Sequence, residues 1–161
     1  MTVETGTGTT GADSYLDASA ALVILEARGS GPAWDAAGDD EKAAALVKAT
    51  AYIDGYYGGR YPGWRLNPAQ GLMWPRAGAA DRDGWPLVGV PDPVKLATAL
   101  AALRALTEDL APDAARGGQV ESVTVGPITK KFAASAVPDT ARPEIDNAMR
   151  PIIGSGLRIQ R

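Results

Sequence analysis

The chain has 161 residues, a formal net charge of −3 and a sequence pI of about 4.9. These values fit one domain and do not suggest a protein that binds nucleic acid through bulk positive charge. There is no histidine and no cysteine, which removes the commonest general base, the commonest zinc ligand and all thiol chemistry. The apolar runs are too short for a membrane span, and the polar N-terminus is unlike a secretory signal. We therefore expect a protein made in the cytoplasm, with no metal, no cofactor and no enzymatic activity.

Residues 1–13 are rich in threonine and glycine, which predicts a flexible arm. A first helix is predicted over about residues 18–28, capped by Asp17 and followed by Gly29. Residues 22–25 make that helix apolar on every face. We therefore expect it to be packed on both sides, in a core or between subunits.

A second helix is predicted over about residues 40–57, with Asp39 as its N-cap. Residues 58–91 follow, and their proline, tryptophan and glycine content predicts a long loop with short turns. Within this loop, Asp81-Arg82-Asp83-Gly84 is typical of a turn. The same residues resemble the start of a calcium loop, but the later ligands of such a loop are missing, so a turn is favoured.

A third helix is predicted to start at Asp92, its N-cap, with Pro93 in its first turn, and to end at Pro112. Its marker is a stripe at helical spacing made of Leu96, Leu100, Leu103, Leu106 and Leu110. Further along, β-forming residues on both sides of a Gly-Pro pair predict a β-hairpin over about residues 119–133.

The C-terminal part is predicted to hold a short helix from Pro143 to about Arg150, which Pro151 ends or kinks. Residues 152–161 alternate apolar and basic side chains and have no evident place in a monomer core. The predicted fold is mainly α: a small bundle of about four helices with a long aromatic and proline-rich loop, one β-hairpin and extended N- and C-terminal arms. Its parts are an arm at 1–13, a helical domain at 14–137 and a C-terminal helix with a docking tail at 138–161.

Several stretches share their order and spacing with one family. In chain order they are Ala12-Asp13-Ser14-Tyr15, Glu26-Ala27-Arg28-Gly29, Trp34, Glu41-Lys42-Ala43-Ala44-Ala45-Leu46, Ala49-Thr50-Ala51-Tyr52-Ile53-Asp54, Gly71-Leu72-Met73-Trp74-Pro75-Arg76 with Asp81-Arg82-Asp83-Gly84, and Gly117-Gly118-Gln119-Val120 with Val125-Gly126-Pro127-Ile128. Through these stretches the chain resembles the head–tail connector (adaptor, head completion) family of tailed phages, whose members are often labelled DnaT-like single-stranded DNA-binding proteins.

The resemblance implies a mostly helical adaptor that forms a dodecameric ring under the portal of a tailed phage or phage-like particle. Such a ring, in the neck of the virion, joins the portal protein to a stopper or tail-terminator protein and lets DNA pass without sequence specificity. The label of the family implies the alternative function, a single-stranded DNA-binding module.

Three groups of side chains carry these two hypotheses. The candidates for docking on the portal or a neighbouring ring are Ile152, Ile153, Leu157, Arg158, Ile159 and Arg161. The candidates for the subunit interface are Leu22, Leu25, Trp74, Arg76 and Trp85. The candidates to face DNA in a ring lumen are Lys130 and Lys131. An alternative interpretation of Trp74 is that it fills the hydrophobic core. An alternative interpretation of the two lysines is that they lie on an ordinary solvent-exposed strand edge.

An aromatic cluster leaves both functions open. Its members are Tyr52, Tyr56, Tyr57, Tyr61 and Trp64, interleaved with Arg60 and Arg65. Such residues can stack on the bases of single-stranded DNA, and they are equally typical of protein interfaces. The negative net charge of the whole chain favours a protein interface over a surface that binds single-stranded DNA.

Overall fold

The computed structural model describes residues 1–111, 122–125, 128–131 and 142–153, the two strand segments by their backbone alone. Over these ranges the elements are α1 (Ala18–Glu26), α2 (Gly31–Asp35), α3 (Asp39–Tyr57), α4 (Asp92–Ala105) and α5 (Pro143–Met149), with strands β1 (Trp64–Arg65), β2 (Arg76–Ala77), β3 (Ser122–Val125) and β4 (Ile128–Lys131). The predicted mainly helical fold with one β-hairpin is confirmed. No described helix combines the length and the apolar character needed to cross a membrane.

The first two helices are fixed by local caps and one buried tryptophan. Asp17 Oδ1 accepts a 2.7 Å hydrogen bond from the Ala20 backbone N–H, so the predicted N-cap of α1 is confirmed. Gly29 lies beyond the helix end with φ of 72°, a left-handed conformation that glycine adopts without strain. The sequence did not predict α2, whose Trp34 is buried and donates from Nε1 to the Ala18 carbonyl oxygen at 3.2 Å.

Helices α3 and α4 form the centre of the core. The N-cap of α3 is Gly38, whose N–H donates to the Glu41 side chain at 2.9 Å, so the predicted cap at Asp39 is wrong by one residue. The buried residues of α3 are Ala45, Leu46, Ala49, Thr50, Ile53 and Tyr57, and those of α4 are Val94, Ala97, Thr98, Ala99, Ala101 and Ala102. Because so many of these side chains are small, the two helix backbones can pack close together.

The leucine stripe of α4 does not form the face buried in the core. Leu96, Leu100 and Leu103 are only partly buried, and α4 ends at Ala105, so Leu106 and Leu110 lie beyond it. The alanines on the opposite face take the core position instead. The cap also differs from the prediction, since Pro91 is the N-cap and Asp92 the first helical residue.

Helix α5 packs on α4 and brings the following residues into the core. Ile145 and Met149 are fully buried, which confirms the predicted short helix. Ile152 and Ile153 are 4 % and 7 % exposed and belong to the same hydrophobic cluster. The expectation that they have no place in a monomer core is wrong, because the turn after α5 directs both side chains inward.

The N-terminal segment does not project as an arm. The Glu4 carboxylate accepts backbone hydrogen bonds from Gly6, Thr7 and Gly8 through Oε1 (2.8, 3.0 and 3.0 Å) and from Thr9 through Oε2 (2.7 Å). Residue Thr9 in turn accepts from the Gly71 N–H at 3.2 Å. The carboxylate, which is almost completely buried, folds the Thr/Gly-rich stretch into a compact loop against the domain.

The predicted hairpin is confirmed as β3 and β4, which pair antiparallel with Val125 opposite Ile128 and Ser122 opposite Lys131. A smaller antiparallel pair, β1 and β2, places Trp64 opposite Ala77 and Arg65 opposite Arg76. This second pair lies inside residues 58–91, which we call the aromatic loop.

Candidate functional site: the aromatic loop

The aromatic loop is anchored in the core by Trp74. This side chain is fully buried, and its ring meets the Tyr61 ring edge-on with centroids 5.5 Å apart. Its backbone N–H donates to the Tyr15 hydroxyl at 3.1 Å, and that hydroxyl donates to Asp54 Oδ1 at 2.6 Å. Burial raises the pKa of Tyr15 and of Asp54 above their ordinary values. Trp74 therefore has the core role that the sequence left as one alternative.

Arg76 ties the loop to itself. Its guanidinium donates to three backbone carbonyl oxygens, those of Pro62 (2.6 Å), Gly63 (2.6 Å) and Met73 (3.3 Å). Partial burial lowers the pKa of this arginine somewhat, while the nearby Tyr61 and Asp54 oppose that effect. The donors that were expected to reach a neighbouring subunit are thus used inside the chain.

The turn at Asp81 confirms its prediction and presents Trp85. Asp81 Oδ1 accepts from the N–H groups of Asp83 (3.0 Å) and Trp85 (2.8 Å), and the Asp81 N–H donates to the Trp85 carbonyl oxygen at 2.9 Å. The carboxylate is therefore used as a turn acceptor. In the described residues no group of three or more acidic side chains could hold a metal ion.

Large apolar side chains are exposed along the loop. Trp64 is 66 % exposed, Trp85 71 % and Val88 86 %, and Leu66 and Met73 also face solvent. The Trp64 ring lies over Gly78, where a Cβ would approach the ring to 2.8 Å, so that position requires glycine. A shallow groove of about 440 Å³ adjoins them, lined by Leu66, Pro75, Pro86, Leu87 and Val88 among others.

The charge of the loop is opposite to that of the chain. Residues 58–91 contain four arginines (60, 65, 76 and 82) and two aspartates (81 and 83), a net charge of +2, whereas the whole chain has −3. Arg60, Arg65 and Arg82 are exposed. Exposed tryptophans and exposed arginines therefore occur together on one positively charged segment.

The predicted aromatic cluster is only partly assembled, with the Tyr57 ring edge-on to Tyr56 at 4.8 Å. Tyr52 and Tyr56 stack on α3 with centroids 5.7 Å apart and ring planes 12° apart. The Arg60 guanidinium lies 5.2 Å from the Tyr56 ring centroid, and that of Arg142 lies 5.2 Å from the Tyr52 centroid. The stacked tyrosines and the two arginines thus form a cation–aromatic column on the surface of α3.

The other two tyrosines of the cluster are core residues. Tyr57 and Tyr61 are buried, and the Tyr57 hydroxyl donates to Asp146 Oδ1 at 2.6 Å. The structure therefore does not bring all five rings into one platform. Trp64, on β1, is exposed.

The remaining predicted residues fall in three places. Leu25 is buried in the core, like Trp74, while Leu22 is partly buried and Trp85 is exposed. Lys130 and Lys131 lie on β4, where the backbone alone is described, and Leu157, Arg158, Ile159 and Arg161 lie outside the described residues. The sequence did not predict the exposure of Leu66 and Val88. Their signal was available, because each is an apolar residue in a loop with no periodicity to bury it.

The fold and the surface define a small, mainly helical protein that presents an exposed aromatic loop with a local positive charge. The chain belongs to the family described as "Putative DnaT-like ssDNA binding protein", whose model matches residues 1–161. No curated protein gives a significant match. No solved structure gives one either.

Proposed function

We propose that this chain binds single-stranded DNA through the aromatic loop, without sequence specificity and without catalysis. The observation that carries the proposal is the exposure of Trp64 (66 %) and Trp85 (71 %) on a positively charged segment of an acidic chain. Membership of the family described above agrees with it. Single-stranded DNA binding is therefore preferred to the adaptor function.

The chemistry of the loop fits a single strand. Bases that are not paired offer their flat faces to aromatic rings, and such stacking contributes about 1–3 kcal/mol per base. Exposed guanidinium groups at Arg60, Arg65 and Arg82 can meet the phosphates that follow the bases. Arg76 stabilises the loop, because its guanidinium donates hydrogen bonds to backbone carbonyl oxygens of the loop itself.

The acidic balance of the whole chain does not oppose this role. At physiological ionic strength, charges more than about 8 Å apart across solvent are largely screened. A DNA strand bound to the loop therefore interacts mainly with the local net charge of +2, and less with the net charge of −3 of the whole chain. The small local charge predicts modest affinity with a shallow salt dependence.

The test is a fluorescence anisotropy titration of a labelled oligothymidylate with the full chain at several salt concentrations. Trp64→Ala and Trp85→Ala should each weaken binding about 5- to 150-fold, the range that corresponds to one stacked base. Arg65→Ser should lower the salt dependence. Val23→Ala is the matched control, since Val23 is 67 % exposed on α1, away from the loop.

Three results would contradict the proposal. The first is no binding even at low salt. The second is binding that survives the loss of both tryptophans. The third is equal affinity for a duplex of the same length, because paired bases cannot reach the rings.

A second candidate function, the head–tail adaptor, is favoured by the aliphatic part of the same loop. Leu66 is 50 % exposed and Val88 86 %, and these aliphatic side chains have no aromatic face to stack on bases. Exposed apolar patches of this kind are typical of protein interfaces. In this function the chain would form a ring in the virion neck, with copies of itself, the portal protein and a stopper or tail-terminator protein as partners.

Electron microscopy of the chain mixed with its cognate portal ring tests the adaptor. Symmetric density under the portal, lost in Leu66→Asp with Val88→Asp, would support it. A bare portal would contradict it. The two functions can be told apart, since the tryptophan variants should affect DNA binding and the aspartate variants ring assembly.

A further inference from the structure

A second apolar surface lies away from the aromatic loop, between α1, α4 and α5. Two adjoining depressions of about 510 and 440 Å³ share Arg28, Leu96, Asn147 and Ala148 among their lining residues. We call them together the leucine groove. Its other apolar lining residues are Ile24, Leu100, Leu103, Pro93 and Pro151.

The leucine groove is the unexpected consequence of the alanine face of α4. Because the small residues pack against α3, Leu96, Leu100 and Leu103 of the leucine stripe face this groove and are only partly buried. Ion pairs line its edges, with Lys95 3.3 Å from Asp92 and Arg104 3.5 Å from Glu144. The floor is therefore apolar and the rim polar, as in a groove that receives an amphipathic segment.

The chain itself supplies such a segment at the right place. Pro151 lines the groove, and the described chain ends two residues later at Ile153. Residues 154–161 follow with the sequence Gly-Ser-Gly-Leu-Arg-Ile-Gln-Arg. In an extended conformation Leu157 and Ile159 point to one side, and Arg158 and Gln160 to the other. The six steps along the chain from Ile153 to Ile159 can span about 20 Å.

We propose that residues 154–161 bind in the leucine groove of their own chain, with Leu157 and Ile159 on its apolar floor. Arg158 and Gln160, on the opposite side of the segment, then meet the polar rim or solvent. Docking in the same chain is favoured over docking in a second copy, because a segment that starts at the groove edge has a high effective concentration there. The proposal is independent of the function of the aromatic loop.

Disulfide trapping tests the proposal directly, since the chain contains no cysteine of its own. Ile159→Cys is combined in turn with Leu96→Cys, Leu100→Cys and Leu103→Cys, and each pair is oxidised at low protein concentration. At least one pair should form an intramolecular disulfide about tenfold faster than the control pair of Ile159→Cys with Val88→Cys. Val88 is highly exposed but lies on the aromatic loop.

A second measurement avoids substitutions in the core. In methyl NMR spectra, Leu157→Asp with Ile159→Asp should shift the signals of the groove leucines and leave those of the core residue Leu46 unchanged. Covalent dimers in place of intramolecular disulfides would overturn docking in the same chain and place the segment on a second copy. Trapping no faster than the control, with unchanged groove signals, would overturn docking in the groove altogether.

Discussion

The Tyr15 hydroxyl donates a 2.6 Å hydrogen bond to Asp54 Oδ1, which joins the segment before α1 to the last turn of α3. The same hydroxyl accepts from the Trp74 backbone N–H at 3.1 Å, and Asp54 Oδ2 accepts from the Met73 N–H at 2.9 Å. The aromatic loop is thus held on the helices by one tyrosine and one carboxylate. Because the tryptophans of the loop are the proposed binding groups, this anchor is what keeps them in position.

Tyr15→Phe should destabilise the fold by about 1–3 kcal/mol, the cost of leaving buried polar groups without a partner. The variant removes the donor to Asp54 and the acceptor for the Trp74 N–H, and Tyr15 itself is 2 % exposed. Urea unfolding followed by circular dichroism measures the difference. Tyr52→Phe is the matched control, because it removes only a 3.5 Å contact to Arg142. Equal losses for the two variants would contradict the role of Tyr15.

The Asp54 carboxyl gives the stability a pH dependence of its own. Burial raises the pKa of this carboxyl above the ordinary aspartate value of 3.8, against the opposing hydrogen bonds from Tyr15 and Met73. The folded state therefore binds the proton more tightly than the unfolded chain. The contribution of the Asp54 carboxyl to the free energy of unfolding is fully present below pH 3.8 and is lost as the pH rises through the folded-state pKa. The stability of the wild type relative to Asp54→Asn should fall over that window.

Asp17→Asn provides the control of opposite sign. The hydrogen bond from Ser19 lowers the pKa of the Asp17 carboxyl below 3.8, so its contribution is present above pH 3.8 and is lost as the pH falls through the folded-state pKa. The stability of the wild type relative to Asp17→Asn should therefore rise with pH. Slopes of the same sign for the two variants would show that the Asp54 carboxyl is not buried as described.

Features that depend on a few neighbouring residues could be predicted from the sequence. The cap at Asp17, the stop at Gly29 and the turn at Asp81 each follow from one residue and the backbone within a few positions of it. The β3–β4 hairpin was predicted for the same reason, because both its strands lie within ten consecutive residues.

Features that depend on distant contacts were not predicted. The spacing of the leucines correctly predicts that α4 is a helix. Which face of that helix enters the core, the leucine face or the alanine face, depends on how closely α3 packs against it. Likewise, nothing local shows that Ile152 and Ile153 turn into the core. In the candidate site, the local positive charge could have been counted from residues 58–91, and it was hidden by the acidic total.

Glu4→Ala should open the N-terminal loop. Four consecutive backbone N–H groups, those of residues 6–9, point at the Glu4 carboxylate, and the variant leaves them without this acceptor. We expect a loss of about 1–3 kcal/mol in urea unfolding and faster hydrogen exchange at these four amides. Glu26→Ala, at an exposed position of α1, is the control.

Added sulfate tests why the Glu4→Ala variant is less stable. It distinguishes the loss of the carboxylate as hydrogen-bond acceptor from the loss of side-chain packing. An anion that enters the vacated site should restore part of the lost stability and slow the exchange of the four amides. The control should show neither change beyond the general effect of the salt. Unchanged exchange in Glu4→Ala would show that the hydrogen bonds of Glu4 do not hold the loop.

The four tryptophans should divide into two pairs in quenching experiments. Trp34 is 1 % exposed and Trp74 0 %, whereas Trp64 and Trp85 are exposed on segments that also carry Arg65 and Arg82. Iodide should therefore quench only part of the fluorescence, and Trp64→Phe with Trp85→Phe should remove most of that part. Unfolding in urea should make all four rings accessible, which checks that the protection comes from the fold.

Comparison of iodide with caesium then tests the charge of the loop. Around an acidic protein a cation should be the better quencher, but around exposed arginines an anion is concentrated and a cation is excluded. We expect iodide to quench Trp64 and Trp85 more efficiently than caesium at low salt, and the advantage to shrink as the ionic strength rises. Arg65→Ser with Arg82→Ser should reduce it. If caesium is the better quencher, the field at the tryptophans follows the acidic total of the chain, and the loop lacks the local attraction that binding of a phosphate strand requires.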